Sequence, residues 1–303
     1  MGNNVATFCK EENNCKCRAR CDDDLCVADR APVSPRALVQ QSDLQELKSL
    51  HEFEDGSTYL GQWMGDLRHG HGIQEWPDGT KYEGQWQYDQ ATGQGRLDHA
   101  ENGVYEGQWK KSQAHGHGCF RYTDGTQYVG QWQCDKQHGA GSQTWADGSE
   151  YKGLYRGGSK YGQGHYSWAT GAYYKGEFRD NDFYGAGIYH WEDGRIYDGQ
   201  WEKNRIHGQG VFKWTNGRHY QGQYHCDMKH GHGCFTWADG SQYDGEWKDG
   251  RQHGKGTLRS PNGEERIGIW KDGQQKQWLS PEGVPLEAVP EEKNADNGKN
   301  NDA

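Results

Sequence analysis

Tyr59, Tyr82, Tyr105, Tyr128, Tyr151, Tyr174, Tyr197, Tyr220 and Tyr243 follow one another at intervals of 23 residues without a slip. Arg266, with Gly268 and Trp270, continues the register into a further unit. A short, unbroken period marks a repeat array, in which each unit packs mainly on its neighbours. Each unit reads Y-x-G-x-W, a polar stretch, G-x-G, an aromatic, and a turn ending in Gly. The first is Tyr59, Gly61, Trp63, Gly70, Gly72, Trp76, Gly79, and a later one is Tyr197, Gly199, Trp201, Gly208, Gly210, Trp214, Gly217. Such regularity builds one long surface rather than one deep pocket.

Composition narrows the class. With 46 glycines, 14 tryptophans and 31% apolar residues, the chain is too polar for a thick, two-sided core but suits a single-layer sheet. A net charge of −10 weighs against nucleic-acid partners, which leave a basic footprint, and against a polybasic membrane-binding surface. The first residues hold no apolar run of the secretory kind, and no stretch has the length of a transmembrane helix. Nine cysteines, an odd number, are read as reduced thiols.

Four segments are expected. Residues 1–41 form a flexible, cysteine-rich segment. Residues 42–52 form a short capping helix, because Ser42 and Gln45 suit a capping box and Leu44, Leu47 and Leu50 share one helical face. Residues 53–280 are the array, of about ten repeats. Residues 281–303 are a disordered acidic, Asn-rich tail.

Within a unit, Y-x-G-x-W alternates Tyr, Gly and Trp with polar residues such as Asp198 and Gln200, the period of a strand with one buried or ligand-facing side. The second strand runs from G-x-G to the aromatic, as in Gly233, Phe235, Trp237. Turns such as Pro77-Asp78-Gly79 and Ala238-Asp239-Gly240 join the units. A three-residue loop ending in a left-handed Gly pairs Gln74 with Tyr82 and brings all aromatics and glycines to one face; a two-residue loop would not. The same register sets Gly beside Gly across strands, with room for rings to lie over them. Irregularity is expected at Asp98–Gly103, where His99 replaces the aromatic. The fold class is therefore all-β: an elongated, single-layer antiparallel sheet of tandem 23-residue β-hairpins.

The unit Y-x-G-x-W-x6-G-x-G-x3-W-x2-G resembles the MORN (membrane occupation and recognition nexus) repeat over about residues 53–276. The resemblance implies a solenoid-like array of antiparallel hairpins and a scaffold or adaptor role. It also implies partner peptides bound along an aromatic trough, or end-to-end dimers.

Candidate sites follow. Met1-Gly2 followed by Cys9, Cys15 and Cys17 resembles an N-myristoylation signal with palmitoylation sites, although Ala6 stands where Ser or Thr is usual. Plain removal of the initiator Met is the competing reading. The N-terminal cysteines lack a C-x2-C pair, so they give little metal signal. Histidines recur at His69, His115, His138, His207, His230 and His253, and are read as loop packing rather than ligands. No metal and no cofactor is expected. No G-x-S-x-G, Walker or H-E-x-x-H motif is present, so no catalytic residue is assigned and the chain reads as a non-enzyme. The candidate partner-binding residues are Tyr151, Tyr174, Trp191, Tyr197, Trp201, Trp214, Tyr220 and Trp237.

The function expected is a scaffold that binds an amphipathic helix or extended peptide along the aromatic trough, with a homodimer as a further partner. N-terminal acyl groups would tether it to the cytosolic face of a membrane. The alternatives are a ciliary or cortical cytoskeletal subunit held by protein contacts only, and a direct phospholipid-binding module.

Overall fold

The computed structural model describes residues 46–286. All regular structure there is β, and no helix occurs among the described residues. The chain divides into two compact units, one ending at Ser159 and the other beginning at Lys160. The expectations for residues 1–41, including Gly2, Cys9, Cys15 and Cys17, and for residues 287–303 lie outside the described residues.

In the first unit the strands from Thr58–Met64 to Glu150–Arg156 form an antiparallel meander, neighbours in the sequence pairing with one another. The second unit repeats this from Ser159–Ser167 to Gln274–Leu279.

Two kinds of turn alternate. Inside a repeat the loop has two residues, both in the left-handed region: Tyr88 and Asp89 at φ 50° and 64°, Cys226 and Asp227 at 48° and 70°. This geometry matches the strand twist. Asp at the second position also reaches back to the preceding repeat. Asp89 Oδ1 accepts from the Arg68 N–H at 2.8 Å, and Asp227 Oδ1 accepts from Ile206 at 2.8 Å. Between repeats the loop has three residues, as the sequence predicts. The Gly79 N–H donates to Trp76 O, the Trp76 N–H donates to Thr80 O, both at 2.9 Å, and Gly79 has φ +82°. Gln74 then pairs with Tyr82. At Asp98–Gly103 the register is altered as expected: the ladder runs on to pair His99 with Gly103.

The core lies on one face of each sheet. The nine repeat tyrosines are at most 2% exposed. Glycines pair across strands, Gly61 with Gly72 and Gly199 with Gly210, and a tyrosine ring covers each pair. The tyrosine hydroxyl donates to the carbonyl three residues on, as Tyr197 does to Gln200 at 3.0 Å. Within each unit the tyrosines meet the first-strand aromatic of their own repeat and that of the next edge-on: Trp201 lies 5.1 Å from Tyr197 and 5.6 Å from Tyr174, near perpendicular to both. Edge-to-face pairs add roughly 0.5–1.5 kcal/mol beyond burial. The Trp201 indole N–H donates to Gly187 O at 3.0 Å, which satisfies its polar atom.

The repeat also carries a bulge that the alternation does not announce. Gly199 pairs with Gly210 but Gln200 pairs with His207, so the second strand holds two extra residues. Gly208, at φ +59°, makes the kink, and Gln200 Oε1 accepts from the Gln209 N–H at 2.8 Å. The bulge thus uses the first-strand Gln as a cap for a backbone donor that the ladder leaves unpaired.

The capping helix expected at 42–52 is not present over its described part. Glu46–Leu47 and His51–Glu52 are instead short strands paired with Thr58–Met64. The exposed edge of that strand offers backbone hydrogen bonds that a helix could not take. Leu47 and Leu50 are 81% and 62% exposed, so the apolar face of the expected helix has nothing to bury against. Phe53 and His51 pack on Trp63 instead. At the other end, residues 281–286 form a turn tied back by the Leu279–Pro285 bridge, so order extends past 280.

Candidate partner-binding face

In four successive repeats of the second unit the second strand ends in two aromatics of the same parity, as in Phe212 and Trp214. Phe212 pairs with Tyr197 on one side and Tyr220 on the other, so it shares their face. Trp214 follows at the sheet margin and stays partly exposed. In the second unit these positions form a continuous ladder of rings. Tyr166 and Trp168 lie 4.5 Å apart, Trp168 and Tyr189 5.2 Å, and Tyr189 and Trp191 4.4 Å. The run continues through Trp191–Phe212 at 5.2 Å, Phe212–Trp214 at 4.4 Å, Trp214–Phe235 at 5.6 Å and Phe235–Trp237 at 4.9 Å. The first unit has Gln74, Leu97 and Gln143 where the second has Tyr166, Tyr189 and Phe235.

The eight expected partner-binding residues therefore separate into two groups. Tyr151, Tyr174, Tyr197 and Tyr220 are 0% exposed and Trp201 is 6% exposed. This corrects the expectation for those five: their rings fill the space over the glycines and have no free surface to offer. Trp191, Trp214 and Trp237 are partly exposed, and the structure brings them together on the ladder. Alternation assigns a residue to a face, but it does not say which residues on that face are covered by their neighbours.

Cations that the sequence reading did not single out line the ladder. The Arg218 guanidinium lies 5.6 Å from the Trp214 ring, and the Lys229 ammonium lies 4.6 Å from Phe235 and 4.8 Å from Trp247. Neither Lys229 nor Arg218 has a carboxylate in ion-pair range among the described residues. Arg195, over Trp191, does pair with Asp193 at 2.7 Å. Burial, with Arg218 nearby, pushes the Lys229 ammonium down to about 8. A cleft of about 240 Å³ opens beside it, lined by Lys229, Phe235, Trp237, Trp247, Arg251 and Gln252. The position two residues after the hairpin turn varies along the array, as Arg68, Ala91, Ile206 or Lys229, so no periodic signal marks the lysine.

Fold and face together define a tandem β-hairpin repeat protein with an open aromatic surface. The family model described as the MORN repeat matches residues 59–81, 82–104, 105–127, 128–150, 174–194, 197–217, 220–242 and 243–265. The chain belongs to this family, whose repeats are a non-enzymatic module and point to an interaction scaffold for proteins or membranes. The unit at 151–173, which has Tyr155 in place of Trp, is not among the matched segments. No curated protein matches the chain in sequence. Among solved structures, the chain is similar to the TCP10 domain of Danio rerio CPAP in complex with a peptide of Danio rerio STIL. That likeness is 13% identical, covers 79% of this chain and 99% of the other, and has a TM-score of 0.41. It is also similar to the SAS-4 (dCPAP) TCP domain of Drosophila melanogaster in complex with a proline-rich motif of Ana2 (dSTIL). The identity there is 12%, over 80% of this chain and 99% of the other, with a TM-score of 0.20.

Proposed function

We propose that this protein is a non-enzymatic scaffold that binds a segment of a partner protein along the aromatic ladder of its second unit. The observation that carries the reading is the continuous run of rings from Trp168 to Trp237, all partly exposed except the buried Phe235. An uncovered aromatic row is a binding feature, and Trp is the residue most enriched at binding hot spots. The ligand is an extended peptide or amphipathic helix with apolar side chains for the gaps between rings. It also carries an acidic residue for Lys229, whose ammonium lies over aromatic faces and has no carboxylate in ion-pair range among the described residues. N-terminal acylation at Gly2 and at Cys9, Cys15 and Cys17 would hold the scaffold at the cytosolic face of a membrane.

The test is an array of synthetic peptides that alternate acidic and apolar residues, probed with full-length protein. Peptides that bind wild type should lose affinity for Trp191→Ala/Trp214→Ala and for Lys229→Met, both checked for folding by circular dichroism. Binding that both variants retain would remove the ladder from the function. Tethering is tested separately, by incorporation of a myristate analogue into wild type and Gly2→Ala in cells. Absence of label in wild type would end that part of the proposal.

A further inference from the structure

We infer that His207, His225 and Cys226 form a site for zinc or a similar borderline-soft divalent ion. Cys226 and Asp227 are the two loop residues between the strands His219–His225 and Met228–Thr236. Asp227 pins this turn to the preceding hairpin by two hydrogen bonds: its N–H donates to Ile206 O at 2.9 Å and its Oδ1 accepts from the Ile206 N–H at 2.8 Å. The residue after Ile206 is His207, on the bulge of its strand, and the residue before Asp227 is Cys226. The same contacts that stack one repeat on the next therefore bring His207 to Cys226 and to His225 at the strand end.

The geometry is close to that of a first coordination shell. The imidazole rings of His207 and His225 are 5.0 Å apart between centroids. One ring nitrogen from each and the Cys226 sulfur all lie within 4.8 Å of one another. Donors around tetrahedral zinc, at about 2.0–2.3 Å from the ion, stand roughly 3.3–3.8 Å apart, so small side-chain rotations close the shell. Nitrogen and thiolate donors in this mixture favour zinc over calcium or magnesium. The Glu202 carboxylate lies 3.8 Å from His207 Nε2, so a small rotation would let it accept from that ring nitrogen and leave Nδ1 for the ion. Three protein donors leave a fourth position for water. Binding releases the thiol proton of Cys226 to solvent, so affinity rises with pH.

The array itself argues against periodic packing as the whole explanation. Histidine at the position of His207 recurs in most repeats, but the position of His225 is Met64, Gln87, Lys110, Gln133, Arg156, Arg179, Glu202 or Lys248 elsewhere. Cysteine at the position of Cys226 recurs once, at Cys134, where His115 stands at the position of His207 but Gln133 at that of His225. That pair is an internal control with the same backbone and one donor fewer. The inference is independent of the aromatic ladder and of partner binding.

The test is cobalt(II) titration of the full chain with Cys9, Cys15, Cys17, Cys21 and Cys26 changed to Ser, so that N-terminal thiols do not contribute. The expected result is one equivalent bound, with a thiolate-to-cobalt charge-transfer band, displaced by zinc. His225→Gln, which installs the residue of two other repeats, and Cys226→Ser should each weaken binding by at least about tenfold, and Cys226→Ser should abolish the band. Cys134→Ser should change neither. Binding with no thiolate band, binding unaffected by His225→Gln, or no binding at all would overturn the site. Melting curves of each variant without metal separate lost ligation from lost folding.

Discussion

The ring of Tyr197 lies across Gly210 so closely that a Cβ on the glycine would come within 2.3 Å of the tyrosine hydroxyl oxygen. Gly210 in turn faces Gly199 across the ladder. This stack of one ring on two backbones is how a single layer buries its tyrosines completely without a second sheet. Gly210→Ala should therefore destabilise the protein by about 1–3 kcal/mol, the range for overpacking a filled core. Gly217 has φ +85° and nothing near its missing Cβ. Gly217→Ala should cost about 1–2 kcal/mol by backbone strain alone. Urea melts of both variants check this, and the ring over Gly210 would be misjudged if its substitution proved the milder.

Gln200 looks like an ordinary polar-face residue, and little effect would be expected from replacing it. Its carboxamide, however, accepts the Gln209 N–H and lies over Gly208. Gln200→Ala should cost about 0.5–1.5 kcal/mol, because a backbone donor in the bulge exchanges its partner for water. Gln200→Glu should be nearly neutral, since Glu177 accepts from Ala186 N at the equivalent place. Comparing the denaturant midpoints of the two variants decides the matter.

Trp191 and Trp214 differ from Trp201 in what they cover. Trp201→Ala should lose about 3–5 kcal/mol of stability, as for a buried tryptophan. Trp191→Ala with Trp214→Ala should lose less stability but weaken peptide binding by about 2–4 kcal/mol, the range of hot-spot truncation. Calorimetry on the folded double variant gives the second figure. Wild-type affinity in that variant would move the binding face elsewhere.

Lys229 and the tyrosines give opposite pH trends. Lys229 titrates near 8 in the folded chain and near 10.5 unfolded, and Lys160 is likewise pushed down to about 8 by burial. Between these values the unfolded chain holds protons that the folded chain lacks, so stability rises with pH. Burial pushes Tyr59 and Tyr243 up to about 12, and Tyr82 and Tyr197 upward too. Above about 10 the unfolded chain releases protons that the folded chain keeps, so stability falls. Urea midpoints from pH 7 to 11 should pass through a maximum, and Lys229→Met should flatten the rising limb. Acidic-peptide binding should weaken as pH passes about 8.

Hairpin identity, the three-residue turn and the glycine pairing were all legible, because each depends on residues a few positions apart. Pro77-Asp78-Gly79 fits one loop length, and with it Gln74 must face Tyr82. The bulge was not legible, since Gln200 and Gly208 meet only once the strands pair. Nor was the first edge: Leu44, Leu47 and Leu50 spell a helix locally, but an unpaired strand edge recruits Glu46–Leu47 and His51–Glu52 as strands.

The 23-residue period by itself determined that this chain is a MORN-type array of antiparallel hairpins with its rings and glycines on one face, because strand parity and turn chemistry are local rules. Tertiary structure alone decided which rings are spent on burial and which remain open. Tyr197 and Trp214 share a face and a repeat, yet neighbouring side chains enclose the first and leave the second partly exposed. The same stacking of repeats decided that Lys229 stands among aromatic faces and that His207 meets His225 and Cys226. Those encounters join residues of neighbouring strands and repeats, and only the packing of one hairpin on the next sets how close they come.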